Sequence, residues 1–136
     1  MPENFDKLER VFEMQKALND EIGALRGLDG ISADDWMQKL TLAMISELSE
    51  VLDGTNFKWW KNRKEIDENY LKEEIVDIFH FFVSMCLRIG MDADELFARY
   101  LAKNQENFDR QHGKSAKPGY SVAEMAATDP ETEAKK

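Results

Sequence analysis

Apolar side chains recur along this chain at steps of three and four residues in four separate stretches, and nowhere do they alternate at a step of two over the length of a strand. That spacing permits helices and excludes a sheet, so the chain reads as all-α. The first stretch carries Phe5, Leu8, Val11 or Phe12, Leu18, Ile22 and Leu25, and predicts a helix over roughly residues 3 to 26 that Gly27 and the Leu28-Asp29-Gly30 turn end. Ser32 followed by Asp35 has the spacing of a capping box and opens a second helix to about Asp53, where Gly54 is expected to supply a left-handed stop. Residues Asn56 to Arg63 mix bases with bulky aromatics without a stripe and read as a loop. A third helix starts near Ile66 to Asn69 and ends at Gly90, and Asp92 with Glu95 starts a fourth that continues to about Arg110. After Gly113 the composition turns to Lys, Ser, Ala, Pro and Gly, then to a Glu-, Ala- and Thr-rich tail. The expected division is one domain over 1–120 and an acidic, mobile tail over 121–136.

On a helical wheel the second stretch places Trp36, Leu40, Ala43, Met44 and Val51 on one apolar arc, and Glu47 falls in the middle of it. Glu50 lies at the edge of the same arc, three residues on. The third helix repeats the anomaly: Glu74 and Asp77 are again i and i+3, among Leu71, Ile75, Val76, Ile78, Phe79, Phe81, Phe82 and Val83. Two like charges side by side in an apolar stripe cost several kcal/mol, by order of magnitude, or shift a pKa unless a cation joins them. One such pair is an ordinary solvated face; two, both in apolar helices, predict a site. Antiparallel packing of the two helices would bring four carboxylates to one cleft. An all-oxygen set suits a hard divalent cation, Mg²⁺ first and Mn²⁺ as a substitute, completed by waters and a substrate's phosphates.

The residues Glu47-Leu-Ser-Glu50 and Glu74-Ile-Val-Asp77 match the hallmark of the all-α nucleoside triphosphate pyrophosphohydrolases, a superfamily of MazG-like enzymes and dimeric dUTPases. The chain resembles the dimeric dUTPases in particular. Glu50-Val-Leu-Asp53-Gly-Thr-Asn-Phe-Lys58-Trp59-Trp60-Lys61 is similar to their acidic-helix-to-Trp/Lys segment, and Ile75 to Ser84 to their second metal helix. Gln15-Lys-Ala-Leu18-Asn19 resembles their N-terminal element, and Lys103 to Gln111 with Gly119-Tyr120 their C-terminal phosphate- and sugar-binding segment. The resemblance spans about residues 5 to 120. It implies a four- to five-helix bundle, a homodimer, and Mg²⁺-dependent conversion of dUTP to dUMP and pyrophosphate, with dUDP also cleaved. It assigns the metals to Glu47, Glu50, Glu74 and Asp77, and the activation of water to Glu47 or Glu50, between which the sequence does not choose. Substrate contacts fall to Gln15, Asn19, Trp60, Lys61, Lys103, Asn104, Asn107 and Arg110. Trp60 offers a flat face, the amides donors and acceptors for a base or sugar edge, and the cations phosphate contacts.

Simpler roles compete for each of these residues. Trp59 and Trp60, taken alone, are one packing anchor and one partly exposed ring. Lys61 and Lys103 are ordinary surface lysines, Arg110 complements a helix C-terminus, Gln15 and Asn19 form a solvated stripe, and Cys86 is a small buried hydrophobe. Two other functions compete as well. A MazG-like enzyme would act on another nucleoside triphosphate. The carboxylate-x-x-His spacings Asp77 to His80 and Asp109 to His112 would suit a di-iron helical-bundle protein. A non-catalytic interaction module would leave the two acid pairs unexplained.

Net charge sharpens the choice of ligand. With 27 acidic against 18 basic side chains the chain carries −9, which opposes tracking along a nucleic acid. A small nucleotide arriving with its own Mg²⁺ escapes that objection. A single cysteine, no run long enough for a bilayer and no secretory start point to a cytoplasmic protein without a membrane partner.

Overall fold

The structure, a computed structural model, describes residues 4–127. Five helices and no strand occur among them, in the order α1 (Lys7–Arg26), α2 (Ala33–Asp53), α3 (Glu68–Arg88), α4 (Ala93–Gln111) and α5 (Val122–Ala127). The described residues divide into two compact units, 4–93 and 94–127. None of the described helices is long and apolar enough to cross a membrane.

Side-chain caps set where the first three helices begin. The Asp6 carboxylate accepts from the Leu8 and Glu9 amides at 2.9 and 3.1 Å, Ser32 Oγ from the Asp35 amide at 3.1 Å, and Asp67 Oδ1 from the Tyr70 amide at 3.1 Å. At the end of α1, Gly27 takes the left-handed conformation that halts the helix there.

Gly54 stops α2 by another route. Its φ is −78° and its ψ −2°, ordinary right-handed values, so the left-handed stop expected there is not formed. What the position requires is the absence of a side chain. A Cβ on Gly54 would lie 2.6 Å from Leu71 Cδ2 and 3.0 Å from two ring carbons of Tyr70. The glycine lets the start of α3 close onto the end of α2, where the Tyr70 hydroxyl donates to the Glu50 carbonyl at 3.1 Å.

In the first unit α3 is the central element, packed most extensively on α2 and also on α1. Tyr70 meets Glu50 at one end of the α2–α3 pair, and the Arg88 guanidinium lies 4.1 Å from the Trp36 ring at the other, so the two helices run antiparallel. Gln15 meets His80 and Asn19 meets Ser84, so α1 runs parallel to α3. The expected arc of α2 turns inward: Leu40 is buried, and Trp36, Ala43, Met44, Glu47 and Val51 are half-buried. Phe12 on α1 and Val83 and Cys86 on α3 complete the core, Cys86 as the small hydrophobe expected.

In the second unit α4 is followed by a turn and a short helix. Val122–Ala127, in the segment expected to be an acidic, mobile tail, form α5. Ser121 and Glu124 carry the capping spacing that explains it: Ser121 Oγ accepts from the Ala123 amide at 3.2 Å, and the Glu124 carboxylate reaches back to the Gly119 amide at 2.6 Å. The mobility expected of the tail beyond 127 falls outside the described residues.

Candidate active site

Antiparallel pairing of α2 and α3 sets Glu47 and Glu50, in the last two turns of α2, against Glu74 in the second turn of α3. One carboxylate oxygen from each of the three lies within 4.8 Å of the other two. Glu74 is buried, Glu47 half-buried and Glu50 exposed, so the cluster opens from the helix interface to the surface. Asp77, the fourth expected ligand, stands one turn beyond Glu74, exposed and outside this triad, on the wall of a cavity that Glu47 also lines.

Hydrogen bonding to Glu50, burial and the nearness of Glu47 push the Glu74 carboxyl up to about 7. The buried Glu47 Oε2 and Glu74 Oε2 have no hydrogen-bond partner. Buried oxygens without donors carry the full cost of desolvation. Three hard oxygen donors, two of them orphaned inside the fold, suit a divalent cation such as Mg²⁺ or Mn²⁺. No histidine belongs to the cluster, and His80 Nδ1 is engaged 2.6 Å from Gln15 Oε1. The chemistry of the donors therefore disfavours the di-iron alternative.

The cavity beside the triad has a volume of about 550 Å³ and is walled by α1, α2 and α3. Leu18, Ile22, Leu40 and Phe81 make it apolar, Trp36 and Arg88 close one part of it, and Gln15, Asn19, His80 and Ser84 supply polar groups. Gln15 and Asn19 are not a solvated stripe. Gln15 is buried and Asn19 half-buried, and Gln15 Nε2 donates to Asn19 Oδ1 at 3.0 Å while Asn19 Nδ2 donates to Ser84 Oγ at 3.1 Å. Ser84 and Trp36 went unrecognised as site residues in the sequence. A signal for Ser84 exists, since Asp77, His80 and Ser84 follow one another on one face of α3 at steps of three and four.

The loop from 54 to 67 holds Trp60 and Lys61, both exposed. Asn56 clamps it, donating to the Lys64 carbonyl at 3.0 Å and accepting from the Lys64 amide at 2.8 Å. Neither tryptophan is a packing anchor: Trp59 is 85% and Trp60 61% exposed, and they meet edge to face with centroids 4.6 Å apart.

Lys103, Asn104, Asn107 and Arg110 all lie on α4, in the second unit. Glu106 pairs with two of them. Lys103 Nζ lies 3.3 Å from its carboxylate, Arg110 pairs with it through Nη2, and Arg110 Nη1 donates to Asn107 Oδ1 at 3.3 Å. The Lys103 hydrogen bond, with Arg110 in support, lowers the Glu106 pKa. Arg110 also lies 5.3 Å over the Tyr120 ring, and its Nε is buried without a partner. It packs against Tyr120 as well as standing at the end of its helix.

A three-helix unit with a carboxylate triad between antiparallel helices and a polar-and-apolar cavity beside it defines an all-α protein whose acid cluster could hold a cation. Comparison with known proteins gives it a family. The profile of the family described as dUTPase matches residues 7–93, more than half of the chain, and the chain belongs to that family. It is 38% identical over 92 residues to a dCTP pyrophosphatase of Enterobacteria phage T4, covering 57% of this chain and 53% of that protein. A dCTP pyrophosphatase of Enterobacteria phage LZ5 is 34% identical over 95 residues, covering 57% and 55%. A DNA replication protein of phage T4 is 36% identical over 86 residues, 53% of this chain and 22% of that protein. The chain spans about half the length of the dCTP pyrophosphatases it matches. No solved structure matches it significantly.

Proposed function

We propose that the protein is a Mg²⁺-dependent nucleotide pyrophosphohydrolase that converts dUTP and water to dUMP and pyrophosphate, and also accepts dUDP. The observation that carries this reading is the Glu47–Glu50–Glu74 triad with its two orphaned buried oxygens, in a chain of the dUTPase family. Glu47, Glu50 and Glu74 would hold the cation, with Asp77 one turn away as the fourth carboxylate. A bound Mg²⁺ supplies charge neutralisation for the phosphates and lowers the pKa of a coordinated water. Glu47 or Glu50 takes the proton from the attacking water. The cavity lined by Gln15 and Asn19 receives the base, Trp60 gives a flat face to base or sugar and Lys61 contacts phosphate; within the second unit, Lys103 and Arg110 are phosphate-binding and Asn104 and Asn107 sugar-binding groups by the family resemblance.

A second substrate is favoured by a specific observation: two of the relatives are named dCTP pyrophosphatases. A panel of dUTP, dCTP, dTTP and UTP with Mg²⁺, scored by pyrophosphate and monophosphate release, separates the readings. Preference for dUTP supports the proposal, preference for dCTP transfers it to that nucleotide, and equal rates across the panel overturn uracil selectivity in favour of a MazG-like enzyme of broader range. The protein acts as a homodimer in the cytoplasm. Ile45, Leu48, Phe82 and Ile89 line one apolar groove of the α2–α3 pair while being 54%, 49%, 38% and 65% exposed, and a second copy would cover them. Sedimentation at micromolar concentration checks this, and a monomer would refute it.

A further inference from the structure

The polar groups of the cavity form a closed circuit whose direction is set by one atom. Ser84 Oγ lies 2.8 Å from the backbone carbonyl of His80, and a carbonyl can only accept, so the serine hydroxyl donates to it. With its one hydrogen committed, Ser84 Oγ accepts from Asn19, which must present Nδ2, at 3.1 Å; Asn19 Oδ1 is further off, at 3.5 Å. Asn19 Oδ1 then faces Gln15 and takes the Nε2 proton at 3.0 Å. That turns Gln15 Oε1 toward His80, 2.6 Å from Nδ1, and two acceptors cannot share that contact. His80 Nδ1 therefore carries a proton. The circuit returns to the residue whose carbonyl began it.

We infer that His80 and Ser84 are positioning residues that lock which way round the Gln15 and Asn19 amides face the cavity, and that this lock selects between a uracil and a cytosine base. A side-chain amide sets a donor and an acceptor side by side, and a half-turn exchanges them. Uracil shows an acceptor at C4 and a donor at N3; cytosine shows the reverse. One amide orientation satisfies one base and leaves polar groups unpaired against the other, which is the strongest form of discrimination a buried site offers. Once the circuit is closed, each amide has one N–H and one oxygen lone pair left for a ligand, in an order it cannot exchange without breaking its neighbours' bonds.

The selectivity part rests on the function proposed above; the tautomer does not. In the wild-type protein, nitrogen-detected histidine spectra at alkaline pH should show His80 as the Nδ1-protonated neutral tautomer, shifted in Ser84→Ala. A proton on Nε2 alone overturns the lock whether or not the protein hydrolyses nucleotides. The second arm is the ratio of kcat/KM for dUTP and dCTP. His80→Phe and Ser84→Ala should bring that ratio toward one by roughly tenfold or more. His80→Asn, whose Nδ2 stands where His Nδ1 does, should restore it. An unchanged ratio, or an equal loss on both nucleotides that Asn does not rescue, overturns the proposal. A wild-type preference for dCTP that His80→Phe erases keeps the lock and overturns the order of substrates proposed above.

Discussion

Gly54→Ala isolates the close approach of α2 and α3 that assembles the acid cluster. Two opposing effects meet at this position. With φ at −78° an alanine meets no backbone strain, and its narrower unfolded ensemble would by itself stabilise the fold by about 0.4–1 kcal/mol. Against that, the new Cβ lies 2.6 Å from Leu71 Cδ2, so roughly 1 Å of movement is needed to reach the ~3.5–4 Å of a relaxed carbon contact. Leu71 can give part of this by changing rotamer. Tyr70 is held by its bond to the Glu50 carbonyl at 3.1 Å, and its ring carbons lie 3.0 Å from the same Cβ. Overpacking of this kind costs about 1–3 kcal/mol; with Tyr70 held, the cost falls at about 2–2.5 kcal/mol, which leaves a net destabilisation of about 1–2 kcal/mol. For a unit of this size that is a fall in Tm of roughly 4–16 °C, read by far-ultraviolet circular dichroism. Leu71 and Tyr70 precede Glu74 by one turn, so the splayed variant should also bind Mg²⁺ more weakly in calorimetry. An unchanged or higher Tm would refute the reasoning, because the entropic gain would then have outweighed a contact that relaxes freely.

Glu47→Gln should keep the helical spectrum and lower turnover by more than the ~10–100-fold typical of changes outside the ligand shell, and undiminished activity would rule out its role as a ligand. In chelated protein the raised Glu74 pKa makes the carboxyl favour its neutral form in the fold: that stability is fully present below about 4.5 and lost as pH rises through about 7. Melting temperature across that window should therefore decline with chelator, flatten with excess Mg²⁺, and lose the dependence in Glu74→Gln; a decline that Mg²⁺ leaves untouched would contradict a cation at the triad. Asn56→Ala should speed tryptic cleavage at Lys58 and Lys61 by freeing the loop clamp, with little change in Tm. Val83, fully buried on α3, should cost about 2–3 kcal/mol on truncation to alanine, seen in urea denaturation as a lower midpoint at constant slope.

Much of the first unit was legible because helical spacing reports burial directly. The arc of α2 from Trp36 to Val51 faces inward as the wheel requires, and Glu47 lies within it because the period leaves it no other place. The Ser32 cap was legible for a related reason, since its chemistry is local. Gly54 was not: glycine after a helix suggests a left-handed stop, and the steric demand that explains it comes from Tyr70 and Leu71, sixteen and seventeen residues away in the chain. The tryptophans failed similarly, since whether a ring is buried depends on what covers it. Gln15 and Asn19 could be paired by their spacing on α1, but nothing local could reveal that His80 and Ser84 on α3 complete their hydrogen bonds. Pairs within a helix are written in the sequence; pairs between helices depend on the packing.

The placement of the triad compounds its own cost, and this bears on what the site is for. The C-terminus of a helix carries partial negative charge, favours cations and disfavours carboxylates. Glu47, Glu50 and Asp53 occupy the last two turns of α2, and that helix has no basic residue in its last turn. The Lys64 ammonium reaches back from the loop to the Asp53 carbonyl and compensates only the final turn. Glu74 completes the triad from α3, with hydrogen bonding to Glu50, burial and like charge raising its pKa. At Glu74 burial and mutual repulsion act in the same direction, and both would be relieved by one positive ion held among the three carboxylates. Selection for stability alone would have replaced at least one of these acids. A fold that keeps Glu47 and Glu50 near the negative end of α2 beside Glu74, with two oxygens unpartnered, would suit a cation and what the cation brings with it.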